Sequence, residues 1–171
     1  MGTNIQAEPV GKSKGTDLQK ITPFLWFYNQ TEENVNFYTS IFNKSKIKFV
    51  THYSPNIAGF TGKKEGSVMT IYFQIEGQEF LAMNGGPNFK INPSISFSLN
   101  CTTSEEIDRL WSKLSEGGEV LMELNKYPFS KKYGWVKDKF KVSWQIVPAV
   151  IEEWLSGPDP AKTDRVMQVV I

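Results

Sequence analysis

A chain of 171 residues can bury a core of its own, and 40% apolar with 22% charged residues is the balance of a globular protein, not a disordered or fibrous one. A formal net charge of +1 creates no field that would favour nucleic acid or an anionic membrane. A lone cysteine (Cys101) excludes an intramolecular disulfide and fits a reducing compartment; without an apolar run of about 18 residues or a secretory h-region, a cytoplasmic protein is the expectation.

Residues 1–19 hold Gly2, Pro9, Gly11 and Gly15 without an apolar period and read as a disordered tail, with one domain following over 20–171. Ile21–Tyr28 is short and aromatic-rich, which predicts a strand. Thr31 is placed as an N-cap, Glu32 and Glu33 suit a first turn, and Val35, Tyr38, Ile41 and Phe42 repeat at helical spacing, so a helix is predicted over Thr31–Phe42. A strand over Lys46–Tyr53 follows, then a loop over Ser54–Gly66 marked by Pro55, Gly59, Gly62 and Gly66. Ser67–Ile75 alternates, with Met69, Ile71, Phe73 and Ile75 on one face and Val68, Thr70, Tyr72 and Gln74 on the other. Glu76-Gly77-Gln78 turns the chain into a return strand over Glu79–Asn84, and Gly85-Gly86-Pro87 breaks it.

The second half follows the same order. Ser94–Cys101 reads as a strand. Thr103 and Glu106 form a capping box before Ile107, Leu110, Trp111 and Leu114, and Gly117-Gly118 stops that helix. Glu119–Leu124 is a strand, Asn125–Tyr133 a loop, and Tyr133–Lys137 with Val142–Val147 a closing hairpin ended by Pro148. Pro148–Leu155 and Asp159–Ile171 read as C-terminal helices. One offset carries Thr31 to Thr103, Val35 to Ile107, Tyr38 to Leu110, Phe42 to Leu114 and Phe24 to Ser96. A duplicated βαβββ unit explains cap, helix face and preceding strand together, which a generic α+β domain does not.

A βαβββ pair with Asn36-Phe-Tyr-Thr-Ser-Ile-Phe42 in its first helix resembles the vicinal oxygen chelate superfamily, which includes glyoxalases, ring-cleaving dioxygenases and antibiotic-resistance binding proteins. Ser67-Val-Met-Thr70, Ala82-Met-Asn-Gly-Gly-Pro87, Gly134-Trp-Val-Lys-Asp-Lys-Phe140 and Ser143-Trp-Gln-Ile-Val-Pro148 bring the resemblance closer to its PhnB-like branch, described as 3-demethylubiquinone-9 3-methyltransferase-like. Two departures are Lys141, where glycine is usual, and a longer stretch over Leu124–Lys132. The resemblance implies an α+β fold: two tandem βαβββ modules, about 20–86 and 93–148, in a curved half-barrel of mixed sheet, with helices on the convex face and a C-terminal helical arm over 149–171. It also implies a homodimer, for which Asp159–Ile171 offers apolar area.

On that frame, the residues packing on helices should be Leu25, Phe27, Met69, Ile71, Phe73, Leu81, Met83, Phe97, Leu99, Trp144 and Ile146. The concave face is then predicted to present Phe24, Trp26, Thr70, Tyr72, Gln74, Phe80, Ala82, Asn84, Ser96, Ser98, Ser143 and Gln145, with Trp135 beside them. Aromatics, hydroxyls and amides together suit a small aromatic or quinone-like ligand; the plainer alternative is that they fill a closed cavity or a dimer seam. By the resemblance, metal-dependent members carry ligands at positions that fall on Phe24 or Pro23, Ala82, Ser96 or Ile95, and Gln145, a donor-poor set that points to no metal and no cofactor. His52, the only histidine, reads as solvated or core, and Cys101 as a small buried residue. No glycine turn of a nucleotide-binding βαβ unit is visible. Glu76, Glu79, Glu123 and Asp138 are expected in solvent, Asp138 with the option of capping its turn. The expectation is a metal-free dimeric binding protein; the alternatives are an enzyme using Tyr72, Tyr133 or Asp138 to handle a proton, and a structural role.

Overall fold

Alternation along each strand, and capping at each helix, build the molecule from two like halves. The computed structural model describes residues 19–149. The predicted tail up to residue 18, and the predicted C-terminal helices and arm from residue 150 onward, lie outside the described residues. The first half is β1 (Phe24–Phe27), α1 (Thr31–Ile41), β2 (Lys46–His52), α2 (Pro55–Thr61), β3 (Val68–Ile75) and β4 (Gln78–Asn84). The second is β5 (Phe97–Cys101), α3 (Ser104–Ser115), β6 (Glu119–Tyr127), β7 (Ser130–Lys137) and β8 (Ser143–Pro148). Each half forms an open four-stranded sheet, ordered β1-β4-β3-β2 and β5-β8-β7-β6, so the two share one topology. In both, the first strand runs parallel to the last and the other neighbours are antiparallel. These are the tandem βαβββ modules that the repeat predicts.

The convex faces and the helices share one core. Leu25, Phe27, Ile71 and Phe73 from the first sheet join Val35, Tyr38 and Ile41 of α1, and Ile107, Leu110 and Leu114 of α3 meet Val136, Trp144 and Ile146 of the second. Trp144 is the joint between halves: it lies 5.3 Å from the rings of Tyr38, Phe42 and Phe97. At Gly134 the backbone of β7 passes directly under Trp111 of α3, where a Cβ would sit 2.5 Å from the indole.

Four local expectations change. The segment read as a loop over Ser54–Gly66 contains α2. Ser54 Oγ accepts from the Ile57 N–H, Pro55 opens the helix, and Gly62 ends it in the left-handed region at φ 70. Thr31 is not the cap of α1. It is fully buried, and its N–H donates to Asn84 Oδ1 at 2.9 Å, so β4 supplies the acceptor that the helix start needs. The predicted loop over Asn125–Tyr133 is a hairpin, because β6 runs to Tyr127 and β7 begins at Ser130. β8 includes Pro148, and the Ala149 N–H donates to Cys101 O, so no helix starts at Pro148.

The turn after β7 holds a buried carboxylate. Asp138 is 1% exposed, against the expectation of a solvated side chain. Its Oδ1 accepts from the Phe140 and Val142 N–H groups, at 2.9 and 3.0 Å, as turn capping requires. Its Oδ2 accepts from Trp144 Nε1 at 2.8 Å and from the Tyr38 hydroxyl of the other half. Lys141, at the position where glycine is usual, adopts φ 74.

Candidate functional site

The β3–β4 register corrects one strand of the predicted concave face. Ile71 lies opposite Ala82 and Phe73 opposite Phe80, and directly opposed residues share a face. Phe80, Ala82 and Asn84 therefore belong to the helix side, where all three are buried, and Leu81 and Met83 face the concavity instead. Asn84 is occupied there, accepting from Thr31 and donating through Nδ2 to Val68 O. β4 is apolar from Phe80 to Met83, so its own pattern could not choose a face; only the hairpin register does.

The remaining first-half residues lie where expected. Phe24 is half exposed and Trp26 partly buried, alternating with buried Leu25 and Phe27. Thr70, Tyr72 and Gln74 line the concave side of β3. Tyr72 stacks on Phe49 of β2 with centroids 5.0 Å apart, and its hydroxyl donates to Glu79, which also pairs with Lys48. Lys48 and Tyr72 hold the Glu79 carboxyl below its ordinary range, and the same hydrogen bond to Glu79 raises the Tyr72 phenol. Glu79 is thus engaged in a polar cluster on the sheet rather than free in solvent.

The second-half face carries the denser polar chemistry. Trp135 lies opposite Gln145 in the β7–β8 pair, and Ser98 lies beside Gln145 in the β5–β8 pair. The Tyr133 hydroxyl donates to Gln145 Oε1 at 3.0 Å, and Gln145 Nε2 donates to Ser96 Oγ at 2.7 Å. Trp135 Nε1 donates to Ser143 Oγ at 2.7 Å. The hairpin that replaces the predicted loop closes one end of this face, with Tyr127, Phe129 and Tyr133 packed together over Val147.

A cavity of about 430 Å³ joins the two halves. Phe24 and Trp26 of β1 form one wall, Phe97, Val142 and Ser143 another, and Phe89, Ile91 and Ile95 from the linker between modules a third. Trp26 is fixed in that wall by an Nε1 bond to Gly86 O at 3.0 Å and an edge contact with Phe89 at 5.0 Å. Of the predicted site residues, the structure brings Phe24, Trp26 and Ser143 to the cavity. Ser96, Ser98, Trp135 and Gln145 share the adjoining concave face, whereas Thr70, Tyr72 and Gln74 line the other sheet. The linker residues are a wall that sequence reasoning missed. Their trace was present: Phe89, Ile91 and Ile95 are isolated apolar residues in a segment otherwise rich in Gly, Pro, Asn and Ser.

The ionisable groups offer little at neutral pH. Burial pushes the Tyr133 phenol up to about 12 and the Cys101 thiol up to about 12. Asp138 lies on the helix side, behind the sheet, and His52 is exposed on β2. A metal fares no better. The positions that the resemblance assigns are a phenylalanine, a helix-facing alanine, a serine and an amide, and the concave neighbours of Ala82 are Leu81 and Met83. Among the described residues no three His, Cys, Asp or Glu side chains converge. That donor set does not fit a divalent ion.

The model of the 3-demethylubiquinone-9 3-methyltransferase family matches residues 19–147. The PhnB protein of Bacillus cereus, which carries the same family description, is 44% identical over 77% of this chain and 100% of its own, with a TM-score of 0.70. Protein PA1353 of Pseudomonas aeruginosa is 24% identical over 77% of this chain and 98% of its own, with a TM-score of 0.64. The fosfomycin resistance protein FosX of Listeria monocytogenes, complexed with Mn(II) and sulfate, shares the fold at 16% identity over 81% of this chain and 97% of its own, with a TM-score of 0.55. No curated protein matches the chain. Family model and neighbours agree with the duplicated topology: the chain belongs to the PhnB-like, 3-demethylubiquinone-9 3-methyltransferase family.

Proposed function

We propose that this chain is a metal-free small-molecule-binding protein that works as a homodimer, and that its ligand is a small aromatic or quinone-like compound. The observation that carries the reading is the cavity of about 430 Å³, with walls of Phe24, Trp26, Phe89 and Phe97 and a serine hydroxyl among them. Its volume falls within the range of small-molecule sites, and an apolar lining with few polar groups is their common chemistry. The enzyme alternative rests on Tyr72, Tyr133 or Asp138 as proton handler. The two phenols are raised further from neutral pH, and Asp138 is turned away from the concave faces, so the geometry favours binding. Elemental analysis with a thermal-shift screen tests the proposal. The expected result is well below one equivalent of manganese, iron, nickel or zinc, and stabilisation by at least one flat aromatic carbonyl compound. One equivalent of metal, or no stabilisation across such a panel, would overturn it.

The dimer is supported by apolar side chains left open, with Phe24 50% and Phe49 54% exposed on the first sheet and Ile95 73% exposed on the linker. Light scattering of the full chain is expected to give twice the 19.5 kDa monomer mass. A monomer at micromolar concentration would reject this part.

A further inference from the structure

The polarity of the hydrogen bonds beside the cavity says more about the ligand. In the β5–β8 pair Phe97 lies beside Trp144 and Ser98 beside Gln145; Ser96 immediately precedes β5, Ser143 opens β8, and the Gln145 side chain reaches back to the Ser96 hydroxyl. A serine hydroxyl has one proton to donate and lone pairs that accept. An indole N–H can only donate, so the bond from Trp135 Nε1 fixes Ser143 Oγ as an acceptor and leaves its proton unspent. Ser96 Oγ likewise accepts, from the Gln145 amide, whose oxygen is engaged by Tyr133. Among the described residues nothing accepts from either hydroxyl. Ser143 is 1% exposed and lines the cavity, so its donor is held away from bulk water, where an unmade hydrogen bond costs most.

Resting on the binding reading above, we infer that Ser143 on the cavity wall and Ser96 on the adjoining face form a hydroxyl donor pair that selects ligands presenting a carbonyl oxygen to this end of a mainly apolar cavity, whose other polar lining is Lys90, Asn92 and Ser94. A flat hydrocarbon fills the aromatic walls but leaves the donors unspent. A ketone of the same shape fills the walls and accepts from the pair. Two cations lie near this end: Lys137, opposite Ser143 on β7, is paired with Glu119, and Lys90 lines the linker wall of the cavity. Ser96 and Gln145 occupy two of the positions where the resemblance places metal ligands. Fixed hydroxyl protons there would perform the electrophilic part of an ion's task, which is to hold a ligand oxygen.

The test compares 2-acetylnaphthalene with 2-ethylnaphthalene, matched in shape and differing in the carbonyl oxygen, by calorimetric titration of the full chain. The ketone is expected to bind roughly tenfold more tightly to the wild type, the worth of about one hydrogen bond. Ser143→Ala and Ser96→Ala should each reduce that ratio, and the double variant should bring it near one, with the hydrocarbon's affinity kept. Thermal unfolding of each variant checks folding, and the wild-type ratio stands without any variant. Binding of neither probe would overturn the cavity reading and this inference with it. Equal binding of both to the wild type would leave the cavity reading intact and overturn the hydroxyl pair. A tenfold ratio that persists in the double variant would also overturn the pair.

Discussion

Asp138→Ala is expected to destabilise the fold by about 3–5 kcal/mol in urea unfolding, a large share of the roughly 5–15 kcal/mol that holds an ordinary domain folded. The alanine would leave four donors without an acceptor: the Phe140 and Val142 N–H groups, Trp144 Nε1 and the Tyr38 hydroxyl. The last two belong to opposite halves, so the loss falls on the joint between modules. Tyr38→Phe removes one donor and keeps the carboxylate capped, and should cost about 1–2 kcal/mol. The pH dependence has a definite sign. Burial holds the Asp138 carboxyl above its ordinary value despite four donors, and the folded chain therefore binds that proton more readily than the unfolded chain. Its contribution to stability is complete below the ordinary carboxylate pKa and is lost as pH rises through the raised folded value. The gap between wild type and Asp138→Ala should narrow over that rise. A gap that widens with pH, or a variant as stable as the wild type, would contradict this account of the turn.

Gly85→Ala should act on stability and on the cavity at once. A Cβ at Gly85 would lie 2.1 Å from Trp26 Cε2, and the backbone cannot retreat easily, because the Gly85 N–H is bonded to Phe27 O at 2.8 Å. The indole must swing out, breaking its bond to Gly86 O and its edge contact with Phe89. Overpacking of this kind costs about 1–3 kcal/mol. Displacing Trp26 also removes a wall of the cavity, so the affinity for a bound aromatic should fall at least about tenfold. The substitution should be far milder in a Trp26→Ala background, where nothing occupies the space, and a double-mutant cycle reads that coupling directly. Additive effects would mean that the glycine is not there to admit the indole.

The parts of the fold legible in the sequence are those where one strand or helix carries its own pattern. α1, α3 and β3 have clear periods, and the alternation of β1, β5 and β8 gives their inner and outer faces correctly. β4 has no alternation from Phe80 to Met83, so its faces were set by pairing and not by pattern. α2 was hidden by its Pro and Gly content, although Ser54, Pro55 and Gly62 are the marks of a capped short helix. Asp138 was illegible for another reason: one of its donors, Tyr38, is 100 residues away in sequence. The donor-poor metal positions could be read from residue types alone. The linker wall and the unspent serine protons could not, because both depend on how the two halves meet.

The most direct measurement is an NMR titration of chelator-treated, ¹⁵N-labelled full chain with 2-acetylnaphthalene. The expected result is saturable amide shifts centred on Trp26, Phe89, Phe97 and Ser143, unchanged when manganese or zinc is restored. Shifts that appear only after a metal is added, or no saturable shifts around the cavity, would contradict a metal-free binding site between the two modules.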